Sequence, residues 1–367
     1  LWPGTSAVQV LTVSVPLWAL ALAPFAAGVA ATAVRAHGRL FPWGDDALLE
    51  LAVRNAARGR QLLGPYSRFG WNHPGPAYFY LLAAPYRMAG GLAMFVGPLA
   101  VNGAAVLAWA AVVRRRSRLW AGWATTGLLC GFCLMLRAET VRSDWNPYIL
   151  ILAMGLFLLL CALVAVSSDT ALVAGLALGS FVVQTHVSAA PVVALALAAA
   201  GAQRLGFSRQ RSPGAHGFAP VPGVRPLLAS LAVLAVLWAP PVIEELSHRP
   251  GNLTLLWRFF TSPHPHHSLT EALRFAAAAL RPWSFAHDFG STRASAGLAL
   301  PVVAAFAAAC VALALAGRAR GQRLPVALGA TALVGLLGGA AGITRIVGPV
   351  SHYLIAWMTV LPVVLAT

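Results

Sequence analysis

Four groups of residues hold the side chains able to move protons, grip an anion or bind a metal. The first is Gly44-Asp45-Asp46-Ala47-Leu48-Leu49-Glu50. A single aspartate at a helix start caps free backbone N–H groups and complements the helix dipole. Capping does not account for two in succession, with Glu50 one turn after Asp46 on the same face. A carboxylate beside a membrane surface can act as general base toward an acceptor hydroxyl. Asp45 and Asp46 are therefore the candidate catalytic pair. Asp45 is favoured for the chemistry and Asp46 for helix contact with Glu50, one of the two also serving as cap.

The second group is Tyr66-Ser67-Arg68-Phe69-Gly70-Trp71-Asn72-His73-Pro74-Gly75-Pro76, where Pro76 suits the first turn of a helix. Trp71 and Tyr66 fit an interfacial aromatic belt, and His73 fits a hydrogen bond at a helix start. Arg68 has the forked donors that suit a phosphate. The third is Arg137-Ala138-Glu139-Thr140-Val141-Arg142-Ser143-Asp144-Trp145-Asn146-Pro147, a solvated turn or one wall of an outer cavity. The fourth is dispersed: His186, Glu244, Glu245, His248, Arg249, Arg258, the run His264-Pro265-His266-His267, His287, Asp288, Arg345 and His352. The candidate substrate contacts from these groups are Glu50, Arg68, His73, Arg142 and Asp144, together with His186, Glu244 and Arg345. A divalent cation is possible, but no H-x-x-x-H or H-E-x-x-H spacing supports one, and the histidine run reads first as a polar loop. No P-loop, GxGxxG or GxSxG stands in the right context.

The elements that must position these groups are apolar. Apolar residues make up 59% of the 367 and charged residues 10%, with a mean hydropathy of +0.74. Soluble domains carry about 25% charged residues, so a soluble enzyme is excluded. The net charge of +16 comes from 26 arginines without a lysine. These lie between apolar runs and belong to no nucleic-acid module, so no nucleic-acid partner is expected. Cys130 and Cys133 have C-x-x-C spacing inside an apolar run and read as helix packing.

Runs at 8–34, 91–113, 119–136, 148–166, 170–185, 187–203, 225–243, 296–317, 324–343 and 350–366 give about ten membrane spans. With ten spans, the arginine clusters at 114–118, 204–211 and 318–323 fall on one side, read as cytoplasmic together with the N-terminus. Nine of the ten acids fall on the other side, and only Asp169 does not, which places the chemistry at the outer face. The chain reads as one transmembrane domain over 1–367, with long outer loops at 35–90 and 244–295. Asp45 to Arg60 and residues 76–89 are too short to span and read as surface helices. A start at Leu1 rather than Met, and an end at Thr367 inside an apolar run, lead us to expect missing termini.

On Asp45-Asp46 and His73-Pro74-Gly75-Pro76-Ala77-Tyr78-Phe79-Tyr80, the chain resembles the GT-C type membrane glycosyltransferases. It is similar to the protein O-mannosyltransferases and the lipid A aminoarabinose transferases. The order of parts matches over roughly residues 1–200. Asp-Asp stands where that family often has Asp-Glu, and Gly75 interrupts its Pro-Pro. The resemblance implies an all-α membrane bundle and a polyprenyl-phosphate sugar donor. It also implies a glycan, lipid or protein acceptor on the outer face of the cytoplasmic membrane of a bacterial cell, and an acidic residue at Asp45 or Asp46 acting on that acceptor. A lipid or solute transporter or flippase is the alternative. It calls for ionisable residues deep in the spans, whereas runs such as 91–113 and 148–166 are nearly free of charge.

Overall fold

The computed structural model describes residues 19, 21–32, 34, 42, 44–117, 119–209, 221–281, 283 and 299–367. His287 and Asp288 lie outside them, as do residues 8–18, 20 and 33 of the expected first span. The described residues are mainly helical, with no strand among them. They form α1 (Ala21–Thr32), α2 (Asp45–Ala57), α3 (Ala77–Ala89), α4 (Ala93–Arg116), α5 (Leu119–Met135), α6 (Arg137–Arg142) and α7 (Asn146–Ala165). These are followed by α8 (Asp169–Thr185), α9 (Ala190–Arg209), α10 (Val224–Ser247), α11 (Asn252–Thr261), α12 (Leu269–Ala279), α13 (Ala299–Ala319), α14 (Arg323–Thr344) and α15 (Leu361–Leu365).

Among the described residues, six helical segments are long and apolar enough to cross a membrane: 77–116, 146–165, 187–209, 224–247, 299–319 and 323–344. The chain is thus an α-helical membrane protein. Four shorter apolar helices, at 21–32, 120–135, 169–185 and 356–365, accompany them. At a rise of 1.5 Å per residue, the 17 residues of α8 reach about 25 Å, just short of a hydrocarbon core of about 30 Å.

Sequence pattern explains the arrangement. Every residue of α7 is buried, matching a run that is apolar on all sides. It is the central helix, packed by α4, α8, α9 and α14. At the opposite extreme, α10 buries few residues and turns one apolar face outward. The expected span at 350–366 is not one helix. Two 3₁₀ turns (His352–Leu354 and Ala356–Val360) precede the five-residue α15, and Pro362, lacking an N–H, cannot extend an α-ladder back through them. The segment 76–89 is helical as read, and Gly90, at φ +56°, ends it. A single 3₁₀ turn then joins α3 to α4, so the two run almost continuously through residues 77–116.

Chain alternation sorts the helix ends into two groups. Arg114–Arg116 end α4, Arg204 lies near the end of α9, and Arg323 starts α14. At this end the buried Arg204 pairs with Asp169 at 2.8 Å, and Asp169 also accepts from the Gly223 N–H. The acidic turn 143–146, His186, Glu244 and Arg345 belong to the other end.

Candidate functional site

At that other end lies a cavity of about 900 Å³. Asp45, Arg68, His73, His186 and Arg345 line it, on an otherwise largely apolar wall that includes Leu48, Leu195, Phe259, Val347 and Leu354. Six separate stretches of chain therefore meet around one space.

The two aspartates part company here. Successive helix residues are rotated by about 100°, so neighbours cannot share a face. Asp45, Leu48, Ala52 and Asn55 face the cavity. Leu49, Glu50, Val53 and Ala56 form the buried side of α2, which packs against α3. The apolar face at Leu48, Leu51 and Ala52 is therefore the cavity wall, and packing falls to its neighbour. Neither aspartate is the N-cap. Gly44 takes that position at φ +57°, a conformation costly for other residues, and no side chain caps the helix. Both carboxylates sit in the first turn, where the helix dipole favours them.

Asp46 instead faces the buried acids. Burial, then the neighbouring Asp45, push its carboxyl up from the ordinary value. Asp144 is pushed further, to about 7, by burial first and then by the charges of Asp46 and Glu50. Glu50 is outside the cavity. It accepts from Arg54 at 2.8 Å and from the Tyr86 hydroxyl at 2.6 Å, clamping α2 onto α3. Arg87 adds a bond to the Ala57 carbonyl. The turn holding Asp144 is fixed by the Tyr78 hydroxyl on the Asp144 carbonyl (2.8 Å) and by the Asn102 amide on the Val141 carbonyl (2.7 Å). Arg142 and Asp144 do not line the cavity, whereas Trp145 and Asn146 do.

His73 and His186 pack ring against ring at a tilt of 34°, centroids 4.3 Å apart. Burial holds both rings neutral: His73 well below the usual imidazole value, with His186 adding to the effect, and His186 at about 4. The Val187 N–H donates to His73 Nδ1 at 3.1 Å, so the proton of neutral His73 sits on Nε2. His186 Nδ1 and the Ser188 hydroxyl are 2.6 Å apart. His73 thus fastens the loop between α2 and α3 to the break between α8 and α9. Trp71 is buried beside it, and its indole N–H meets no acceptor among the described residues.

Two buried amides complete the scaffold, and neither stood out in the sequence. Gln184 accepts from the Ala77 N–H (3.2 Å), one of the donors left over at the start of α3. It donates to the Leu237 carbonyl at 2.8 Å. In an unbroken helix that carbonyl would serve the N–H four residues on, but residue 241 is proline. The Pro240-Pro241 step was the available clue that α10 needs an outside donor. Asn252 exchanges two bonds with the Asn72 backbone, at 2.8 and 2.9 Å, while its own N–H donates to Glu244 at 2.7 Å. Glu244 thus supports the loop from behind and does not reach the cavity. Gly75 has a packing reason: a Cβ there would strike the Gln184 amide and Pro241.

The histidine run disperses. His264 bonds to the Phe259 carbonyl, His266 lies 3.4 Å from Arg345, and His267 bonds to the Gly348 carbonyl. Among the described residues no three His, Cys, Asp or Glu side chains are placed to hold a metal ion. Cys130 and Cys133 are free thiols. No family model, curated protein or solved structure matches the chain.

Proposed function

We propose that this protein is a GT-C type glycosyltransferase of about ten spans. On this reading it moves a sugar from a polyprenyl-phosphate donor to an acceptor hydroxyl at the outer face of the cytoplasmic membrane. One observation carries the reading: a single cavity joins one carboxylate, Asp45, and two arginines, Arg68 and Arg345, to a largely apolar wall. A lipid-linked sugar cannot leave the bilayer cheaply, since each buried CH₂ contributes about 0.8 kcal/mol. Its enzyme needs an apolar groove with a few charges at headgroup depth.

In the proposed reaction Asp45 takes the proton of the acceptor hydroxyl as its oxygen bonds to the anomeric carbon. The bond from that carbon to the phosphate oxygen breaks, and its electron pair leaves on the lipid phosphate. Arg68 and Arg345 stabilise that charge. The neutral rings of His73 and His186 offer hydrogen bonds without adding charge.

The test is transfer from a panel of polyprenyl-phosphate sugars in membranes, with a chelator arm for a divalent cation. Transfer by the parent and its loss in D45N are expected. Absence of transfer from every donor, in a protein that binds none of them, refutes the proposal.

A further inference from the structure

A second cleft, of about 380 Å³, opens between the end of α10 and α11, outside the cavity described above. Its lining includes Glu245, His248, Arg249, Thr254 and Arg258. Glu245 is occupied by the N–H and the hydroxyl of Thr254. His248 lies 3.4 Å from Glu244. Arg249 and Arg258 are exposed, and neither guanidinium has a side-chain hydrogen bond or ion pair among the described residues.

The surroundings of the cleft are those of a lipid. The outward face of α10 carries Leu228, Leu231, Val242 and Leu246, and Leu246, 77% exposed, also lines the cleft. Trp257 on α11 is 71% exposed. An exposed apolar stripe on a spanning helix lies against acyl chains, and a tryptophan just beyond the span sits at headgroup depth. Two guanidiniums at that depth match a phosphate diester, whose oxygens accept from their forked donors.

We propose that this cleft binds the phosphate of a membrane phospholipid, whose chains run down the outward face of α10. The occupant also matters to the cavity. Phe259 and Phe260, on the same short helix as Arg258, line the cavity, and the Phe259 ring packs at a tilt against Trp71, centroids 5.3 Å apart. A lipid holding α11 from outside steadies that wall. The assignment does not depend on the glycosyl-transfer reading.

The probe is dioctanoyl phosphatidylglycerol, added to the protein in a phosphate-free neutral detergent, with binding read by native mass spectrometry. Inorganic phosphate and dioctanoylglycerol are the comparison ligands. R249Q and R258Q should each weaken phosphatidylglycerol binding, and together by on the order of tenfold or more. R318Q, at the opposite helix ends, should leave binding unchanged. Parent-like binding in R249Q and R258Q overturns the proposal. So does equal binding of dioctanoylglycerol, which would mean a tail groove only. Displacement of the lipid by inorganic phosphate at matched concentration would mean a free-anion site and overturns it as well. The single variants keep the test decisive if the double variant does not fold.

Discussion

Replacing Asp144 with Asn should make the protein less sensitive to alkali. In the folded chain the Asp144 carboxyl is raised from 3.8 to about 7, first by burial and then by Asp46 and Glu50. An acid whose folded value lies above its unfolded value binds more protons when folded between the two. Its contribution is therefore fully present below about pH 4, is lost as pH rises through 7, and changes no further above that. Three units at about 1.4 kcal/mol each give a loss of about 4 kcal/mol across that window. Asn carries no charge at any of these pH values, although its buried amide leaves a cost of about 1–2 kcal/mol. D144N should thus be less stable than the parent near pH 4.5 and more stable by about 2–3 kcal/mol at pH 8, with the curves crossing between. The assay is the thermal midpoint of both proteins in one detergent, in half-unit steps from pH 4.5 to 8.5. A parent and variant falling in parallel across that range would refute the assignment of the charge burden to Asp144. D46N, removing the second cause, should flatten the parent slope in part.

The aspartates should separate in function as they do in space: D45N should lose transfer by about 10²–10⁴-fold, with D46N close to the parent in rate, read from initial rates and expression. Gln184→Met should cost about 2–5 kcal/mol, because it strands both the Ala77 N–H and the Leu237 carbonyl, and denaturation in detergent measures it. Gly75→Ala should cost about 1–3 kcal/mol by overpacking against Gln184 and Pro241, and its cost should be less than additive with that of a smaller residue at position 184, read from a double-mutant cycle in the same denaturation assay. Cysteines at Arg60 and Pro265 should label from outside intact cells, and labelling only after the membrane is opened would reverse the proposed orientation.

Helix positions and the end of the bundle that carries the polar residues were legible, because hydropathy and the alternation of spans depend on local sequence. So were Asp45, His73, His186 and Arg345 as residues of one end, and the cavity is what such a shared end makes geometrically available. Less legible was which face each residue takes. A turn of 100° sends Asp46 toward Asp144 while Asp45 meets the cavity, and the helix start that fixes this rotation belongs to Gly44, not to an aspartate cap. Glu50 and Glu244 carry the same charge as Asp45, but their partners, Tyr86 and Asn252, are set by packing between distant segments. The span read at 350–366 failed for a similar reason. Its apolar residues are buried among other helices, and burial does not require the unbroken helix that lipid does.

The loop 64–77 is folded by its own bonds but fastened to the bundle by residues made long after it. Its ties to Gln184, Val187 and Asn252 bridge separations of 107, 114 and 180 residues. During synthesis, α4 to α7 can enter the bilayer before any of these partners exists. Residues 64–77 must then wait, closed only by local bonds such as Gly64 N–H to the His73 carbonyl, until α8 and α10 have been inserted and α11 has followed them. Biogenesis thus delays the cavity to a late step of assembly, and a ribosome stalled before residue 252 should present inserted helices beside a loop still open to protease.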